Sequence, residues 1–382
     1  MKNGWKRKQL GELSDILDSQ RRPITKRDRA AGKYPYYGAT GIVDYVKDFI
    51  FDEPLVLVGE DGAKWASGEN TAFRVDGKCW VNNHAHVLRP HSNTVLDNWL
   101  IYFLNHSDLS EFVSGLTVPK LNQGNLREIP VPVPPLPEQQ RIVGILDEAF
   151  DGIATAKANA EKNLQNARAL FESHLQSVFT KRGDGWVEKR LDEVCTFSSG
   201  GTPSKSNSSY WSGEIPWVSG RDMKSTRLSD SLLHISRSAV DESSTRMAPA
   251  GTLLILVRGM GLAHGAQIAE LMVPCTFNQD IRGIHLEPDL IPRYLLFALR
   301  DRINSSDNVL SSAAHGTLKI DSDELKSVMV PVLSRGHQQR IVATIDSLSE
   351  EAQRLESIYQ QKLAALGDLK KSLLHEAFTG QL

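Results

Sequence analysis

Gln139-Gln140-Arg141-Ile142-Val143 is repeated letter for letter at Gln338-Gln339-Arg340-Ile341-Val342, 199 residues further along a chain of 382. Flanking positions keep the same register: Lys120 falls on Lys319, Leu126 on Leu325, Pro132 on Pro331, and Leu175, Phe179 and Thr180 on Leu374, Phe378 and Thr379. Nearer the start the offset is 181. There Gly4-Trp5-x-x-x-x-Leu10-x-Glu12 recurs as Gly185-Trp186-x-x-x-x-Leu191-x-Glu193, and Pro35-Tyr36 falls on Pro216-Trp217. The chain is therefore one module written twice, with extra residues in the second copy before Gly261, which the later offset matches to Gly62.

Each copy divides into a variable globular part and a constant helical part. Residues 130–137 read Pro-Val-Pro-Val-Pro-Pro-Leu-Pro, which suits neither a helix interior nor a central strand. Pro137 then fits a first helical turn and Glu138 suits its positive dipole end, and Gly183-Asp184-Gly185 stops the run. The second helix is expected from about His337 to Phe378, with Ser334-Arg335-Gly336-His337 in place of the proline-rich start. The domains read as 1–136, 137–182, 183–336 and 337–382. In the second helix Ile345, Ala352, Tyr359, Leu366 and Leu373 recur every seven residues, interleaved with Leu348, Leu355 and Leu369 and broken by Lys362. The same register in the first gives Leu146, Ala149, Ile153, Ala156, Ala160, Ala167 and Leu170, broken by Asn163. A Leu-rich seam facing an Ala-rich one suits close interdigitation, so an antiparallel coiled coil of two helices is expected. Two helices folded separately onto their own domains are the competing arrangement. A helix of about 40 residues would be about 60 Å long at about 1.5 Å per residue, a ruler suited to a long periodic partner such as duplex DNA.

The globular parts mix short β-type runs with turns and short helices, which places the fold in the α+β class. Leu55–Val58 and Gly251–Val257 read as buried strands, Val81–Leu88 as a strand with polar alternates, and Trp99–Leu104 and Tyr294–Arg300 as helices. Apolar residues make up 40% and charged residues 24%, with a net charge of −2, which excludes disordered and fibrous classes. No stretch approaches the roughly 18 apolar residues of a membrane span. The basic Lys6-Arg7-Lys8 has no apolar run behind it, so no signal peptide is expected. Cys79, Cys195 and Cys275 are odd in number and widely spaced, which fits buried thiols in a reducing cytoplasm.

Catalytic signatures are missing from the sequence: no phosphate-binding P-loop, no HExxH, no nucleophile elbow, no Asn/Asp-Pro-Pro-aromatic tetrapeptide. Gly259-Met260-Gly261 reads as a turn after a strand. His84 and His86 could share a strand face, but without a Cys or carboxylate in register no metal is expected. What remains are cations, amides and hydroxyls of the kind that contact phosphates and base edges. The first 33 residues hold 10 Lys/Arg against 4 Asp/Glu, including Arg21, Arg22, Lys26 and Arg27, a candidate phosphate-contacting arm. Lys64 and the pair Lys120/Lys319 add charge. Thr202, Ser204 and Lys205 sit in Gly200-Gly201-Thr202-Pro203-Ser204-Lys205, a turn that Trp211 and Trp217 are expected to brace. Ser219 and Arg221 lie in Ser219-Gly220-Arg221-Asp222, read as pairing guanidinium with carboxylate, and Arg258 leaves a strand end. Asn82-Asn83-His84 and Asn278-Gln279-Asp280 occupy matching places in the two copies; Asn and Gln fit adenine bidentately and Arg fits guanine. Singly these are ordinary surface residues. Their matched placement gives the set its weight.

Pro134-Pro135-Leu136-Pro137-Glu138-Gln139-Gln140-Arg141-Ile142-Val143, its partial second copy, the terminal Leu373-Leu374-His375-Glu376-Ala377-Phe378-Thr379-Gly380, the Gly200–Ser204 turn and Trp5/Trp186 together resemble the specificity subunits of type I restriction–modification enzymes. The resemblance spans essentially the whole chain. It implies two target-recognition domains, each reading half of a split asymmetric double-stranded DNA site, separated by the helical spacers. It also implies docking to methyltransferase subunits, two in number, and to restriction/translocase subunits, with no catalysis, no cofactor and no membrane association in this chain. S-adenosylmethionine would belong to the methyltransferase partner, and ATP and Mg to the restriction partner. A stand-alone DNA-binding regulator on the same scaffold is the alternative, and a degenerate methyltransferase or nuclease a more remote one.

Overall fold

The computed structural model describes residues 4–115, 117–180, 185–306, 310–312 and 318–382; the expected helix stop at Gly183-Asp184 lies outside them. The chain divides into two compact units, one formed by the residues up to Asn163 together with Ile358–Leu382, the other by Leu164–Ser357.

In the first unit, Ser14–Ile16, Ala85–Pro90, Leu55–Gly59 and Ala72–Val75 form a four-stranded antiparallel sheet in that order. Its central strand is apolar at every position because both faces are covered. Val56 and Val58 share a core with Trp99 and Leu100 of the helix Asp97–His106. Leu55 and Leu57 face Phe51, Cys79 and Val81 of a second sheet, ordered Gly41–Val46, Ala31–Gly38, Lys78–Val81, Phe51–Asp52. Gly41–Val46 is an edge strand, and Ile42, Val43 and Tyr45 on it are exposed.

The second unit repeats this plan. Cys195–Ser199, Ile281–Leu286, Leu253–Leu256, Ile268–Leu271 and Arg227–Leu228 form one sheet, the last strand parallel to its neighbour. Leu233–Ile235, Ile215–Val218 and Thr276–Phe277 form the smaller one. The matched ribbons show how closely the copies agree. Lys6–Gln9 pairs with Pro130–Val133, and Val187–Arg190 with Met329–Val332, in the same antiparallel register. Prolines are tolerated there because both ribbons have only two strands. Most of the extra length in the second copy lies between Val218 and Leu253, where it adds the strand Arg227–Leu228 and the helix Arg237–Glu242.

The long helices run Leu136–Thr180 and Arg335–Thr379. The second starts two residues earlier than expected, because Ser334 substitutes for the missing prolines: its carbonyl accepts from His337 N and Gln338 N, and its hydroxyl meets His337 Nδ1 at 2.7 Å. The helices pair antiparallel within each unit. Ile142, Val143 and Leu146 share a core with Leu374, Ala377 and Phe378, and Leu175 and Phe179 share one with Ile345. Arg168 meets Glu356 at 3.1 Å. The seam departs from strict heptads: Leu170 and Leu369 are exposed, whereas Phe171 and Leu363 are half-buried. Asn163 and Lys362, at matching positions, turn outward, and the covered face moves one residue on because 3.6 residues per turn drifts from a seven-residue repeat.

An aromatic cluster closes each unit. Trp99 meets Trp5 at 5.7 Å and Phe378 at 4.9 Å; in the other unit Phe179 meets Trp186 at 6.4 Å and Tyr294 at 5.8 Å. All three cysteines are buried, and burial pushes the thiols up to about 11, 12 and 11 for Cys79, Cys195 and Cys275, so they stay protonated.

Candidate nucleic-acid interface

The expected strand Val81–Leu88 is interrupted. Asn82 accepts at Oδ1 from His84 N (2.8 Å) and donates its own N–H to Tyr37 O (3.1 Å), making a turn between Lys78–Val81 and Ala85–Pro90. The second unit builds the same turn: Asn278 Oδ1 accepts from Asp280 N (3.2 Å) and Asn278 N donates to Val218 O (2.9 Å). Each turn is fastened to the end of the central strand, His84 O by Glu60 N (2.9 Å) and Asp280 O by Val257 N (2.8 Å). Asn82 and Asn278 thus use their side chains to shape the turn, and Asn83 and Gln279 stand exposed at its tip. The turn also separates His84 from His86, so the two histidines do not share a strand face.

Beneath the first turn lies a charged network that sequence reading missed. His86 is fully buried, with Nδ1 on Asp18 Oδ2 (2.6 Å) and Nε2 on Leu121 O (2.7 Å). Arg21 binds Glu60 and donates to Ala85 O (2.8 Å). Lys120 reaches Glu60 Oε1 at 2.8 Å, and His84 Nδ1 contacts Asp61. Burial opposes ionisation of Glu60, but Lys120, Arg21 and His86 outweigh it and hold the carboxyl below its ordinary range. Asp18 behaves alike: burial raises it, while His86, the Val87 N–H and Arg21 bring it lower. Asp18, Glu60 and His86 place donor atoms within 4.8 Å of one another, a spacing that could hold a metal. Each is already committed to a cation, an N–H or a carbonyl, so the grouping does not fit one. Arg21 and Lys120 are therefore committed to the Glu60 carboxylate, Arg21 largely covered and Lys120 half-exposed.

The rest of the basic segment is open. Lys26 and Arg27 lie exposed in the short turn Lys26–Asp28, and Arg22 is exposed although its carbonyl accepts from Trp80 Nε1 (2.6 Å). Lys64 is exposed beside Glu69 at 3.8 Å.

In the second unit Gly200 and Gly201 permit a close backbone approach, for a Cβ on Gly200 would stand 2.2 Å from Asn278 O. Trp217 Nε1 donates to Gly201 O (2.9 Å) and Trp211 Nε1 to Ser204 O (3.1 Å), the bracing the sequence predicts. Thr202 donates to Gln279 Oε1 (2.5 Å), tying this turn to the tip of the asparagine turn. Ser204 and Lys205 are exposed. Asp222 does not pair with Arg221; its carboxylate accepts from Ser219 N and Oγ (both 2.8 Å) and from Leu232 N (2.8 Å), leaving Arg221 exposed outside that turn. Arg258, Gln279 and Lys319 line a depression of about 320 Å³ with Asp280, Asp321 and Arg282. Arg282 escapes sequence reading, because one arginine in an alternating strand carries no signal of its own. The ladder brings Arg258 opposite Lys319 where the first unit has Asp61 opposite Lys120, so Gly259 rather than Gly261 is the counterpart of Gly62.

Two α+β units of one plan, each presenting an asparagine turn with different residues at its tip, define a duplicated recognition scaffold. The family model described as "Type I restriction modification DNA specificity domain" matches residues 2–165 and again 183–363, and the chain belongs to that family. It is 31% identical over 261 residues to the type I restriction enzyme EcoR124I/EcoR124II specificity subunit of Escherichia coli, covering 66% of this chain and 63% of that relative's length. It is also 39% identical over 141 residues to a putative type I restriction enzyme specificity subunit of Haemophilus influenzae, 37% of this chain and 36% of the relative. Among solved structures, the HsdS subunit of Thermoanaerobacter tengcongensis matches with a TM-score of 0.58 at 18% identity, over 100% of this chain and 98% of that one. A chain from a study of type I R-M complex assembly and conformational transition matches at 0.78 and 19%, over 100% and 99%. Among the described residues no helix is long and apolar enough to cross a membrane.

Proposed function

We propose that this chain is the DNA-reading component of a type I restriction–modification complex, with each unit reading one half of a split, asymmetric site. The carrying observation is the asparagine turn, built by the same backbone bonds in both units but tipped with Asn83 and His84 in one and Gln279 and Asp280 in the other. A common frame with different tips suits two readers of different sequences. Asn83, Gln279, Arg221 and Arg258 are the candidates for base edges, with a good bidentate pair worth about 1–3 kcal/mol of discrimination. Arg22, Lys26, Arg27, Lys64, Ser204 and Lys205 would contact phosphates and set register.

In this reading the long helices dock two methyltransferase subunits, and restriction subunits join them. The chain itself does no chemistry. S-adenosylmethionine is held by the methyltransferase and ATP with Mg by the restriction subunit, all working in the cytoplasm.

Methylation mapping of DNA modified by the chain reconstituted with its methyltransferase subunits tests this. Gln279→Ala should relax one half-site and Asn83→Ala the other. Purification as a lone DNA-binding monomer that never captures a methyltransferase would favour the regulator alternative instead.

A further inference from the structure

Gly41–Val46 and Leu233–Ile235 are the same edge strand in the two units. Each lies at the edge of its sheet and pairs antiparallel with the strand that carries the matched prolines. Tyr34, Pro35 and Tyr36 face Val46, Tyr45 and Asp44, as Ile215, Pro216 and Trp217 face Ile235, His234 and Leu233. Val46 and Ile235, at one shared position, are both buried. The residue just before the shared stretch is Val43 in one unit and Leu232 in the other. Both are bare, Val43 at 53% exposure and Leu232 at 71%. One exposed apolar side chain is ordinary on a protein surface. The same placement in two copies of different local sequence, on edges that folds normally blunt with charge, calls for a partner.

The two copies reach this placement by different means. In the first unit a Cβ on Gly38 would stand 2.9 Å from Val43 Cγ1 and 3.5 Å from Asn82 Nδ2, so the glycine lets Val43 lie against the asparagine turn. In the second unit Ser219 takes the place of Gly38, and the chain runs through its extra residues before it returns. Asp222 gathers it in: one carboxylate oxygen accepts from Ser219 N and Oγ, the other from Leu232 N (2.8 Å). Val218, the residue before Ser219, accepts at its carbonyl from Asn278 N (2.9 Å). Leu232 is thereby hung beside the second asparagine turn as Val43 is beside the first. Exposed cations stand near both. Arg221 lies in the turn that holds Leu232, and Arg22 is tethered through its carbonyl to Trp80, which pairs with Tyr36.

A base edge in the major groove offers donors, acceptors and a single apolar group, the methyl of thymine. We propose that Val43 and Leu232 are specificity-determining residues, each closing on a thymine methyl in the half-site that its unit reads. This rests on the DNA-reading function proposed above and deepens it: each polar tip works with an apolar contact at its side. Duplex DNA is the occupant because in both units the apolar side chain adjoins the asparagine turn and has an exposed arginine nearby.

The test replaces each thymidine of the mapped site, one at a time, by deoxyuridine, which lacks only the methyl. Binding is measured for the chain assembled with its methyltransferase subunits. One replacement in each half-site should weaken the wild-type complex about fourfold, the weight of one buried methyl-sized group. Val43→Ser should cancel that penalty in one half-site and Leu232→Ser in the other. Circular dichroism identifies a misfolded variant, and the deoxyuridine scan of the wild-type complex needs no variant. Indifference to deoxyuridine at every position, or a half-site without thymine on either strand, overturns the methyl contact while the DNA-reading function stands. A penalty that persists in both variants overturns the assignment to Val43 and Leu232. Loss of methyltransferase subunits or of self-association in the variants, with the penalty intact, shows a protein on these edges and likewise overturns it. Absence of specific DNA binding by the wild-type complex overturns the DNA-reading function, and this contact with it.

Discussion

Gln139 and Gln338, both fully buried, make the same three hydrogen bonds in the two units. Gln139 Oε1 accepts from Leu96 N (2.9 Å) and its Nε2 donates to Thr94 O (2.9 Å) and Pro134 O (2.8 Å). Gln338 does the same with Ile291 N (2.8 Å), Asp289 O (2.9 Å) and Leu333 O (2.8 Å). Each glutamine locks the start of a long helix to the loop that precedes a short one. Removing it strands buried backbone groups at about 1–3 kcal/mol each. Gln139→Ala should cost about 3 kcal/mol and speed exchange of the Leu96 amide while Ile291 stays protected; Gln338→Ala should do the reverse. Equal deprotection of both amides by either variant would contradict this.

Trp99 and Tyr294 are counterparts with different chemistry. Trp99 Nε1 donates to Pro132 O (2.8 Å), and Tyr294 OH to the matching Pro331 O (2.9 Å). Tyr294→Phe removes only the hydroxyl and should cost about 1–2 kcal/mol. Trp99→Phe also leaves a cavity beside Phe378 and should cost more, about 3 kcal/mol. Denaturant midpoints at constant m-value measure both.

Asp301, on the helix Pro292–Asn304, is buried; burial, against the pull of Arg302, pushes its carboxyl up to about 6. The folded state therefore holds this proton more tightly than the unfolded chain, whose aspartate titrates near pH 4. Its contribution is complete below about pH 4 and is lost as pH rises through about 6. Asp301→Asn should match wild type at pH 4 and exceed it above pH 7, by on the order of 2 kcal/mol. A stability difference that does not grow over this window would refute the assignment.

Ala160 is buried on the seam of the first long helix. Ala160→Leu forces extra methylenes into a closed contact and should cost about 1–3 kcal/mol. At exposed Leu170, Leu170→Ala should cost under about 0.5 kcal/mol. Thermal unfolding of the pair tests whether the seam follows the drifted register of the buried face rather than strict heptads.

The duplication, the long helices and the strands Leu55–Gly59 and Leu253–Leu256 were legible because repeats, proline punctuation and apolar runs are local signals. The asparagine turns are visible in both copies as matched polar triplets, yet the triplets suggest base contacts throughout, whereas Asn82 and Asn278 turn inward to their own backbone. The difference lies in a bond two residues away that no composition rule reveals. Arg21 and Lys120 were legible as cations but not as partners of the buried Glu60, because 39 residues of sequence separate Arg21 from that carboxylate. Arg282 became visible only when its strand brought it into the depression that Arg258 lines.

The unit formed by Leu164–Ser357 is one continuous stretch, whereas the other needs Ile358–Leu382 to cover Trp99 with Phe378. A ribosome delivers that stretch only after the whole of the second unit. The domain begun first is thus the one finished last, and it must wait through nearly 200 further residues with part of its apolar surface uncovered. Nascent chains of this protein should therefore lean on chaperones through their amino-terminal half, against the usual order in which early domains settle before later ones emerge.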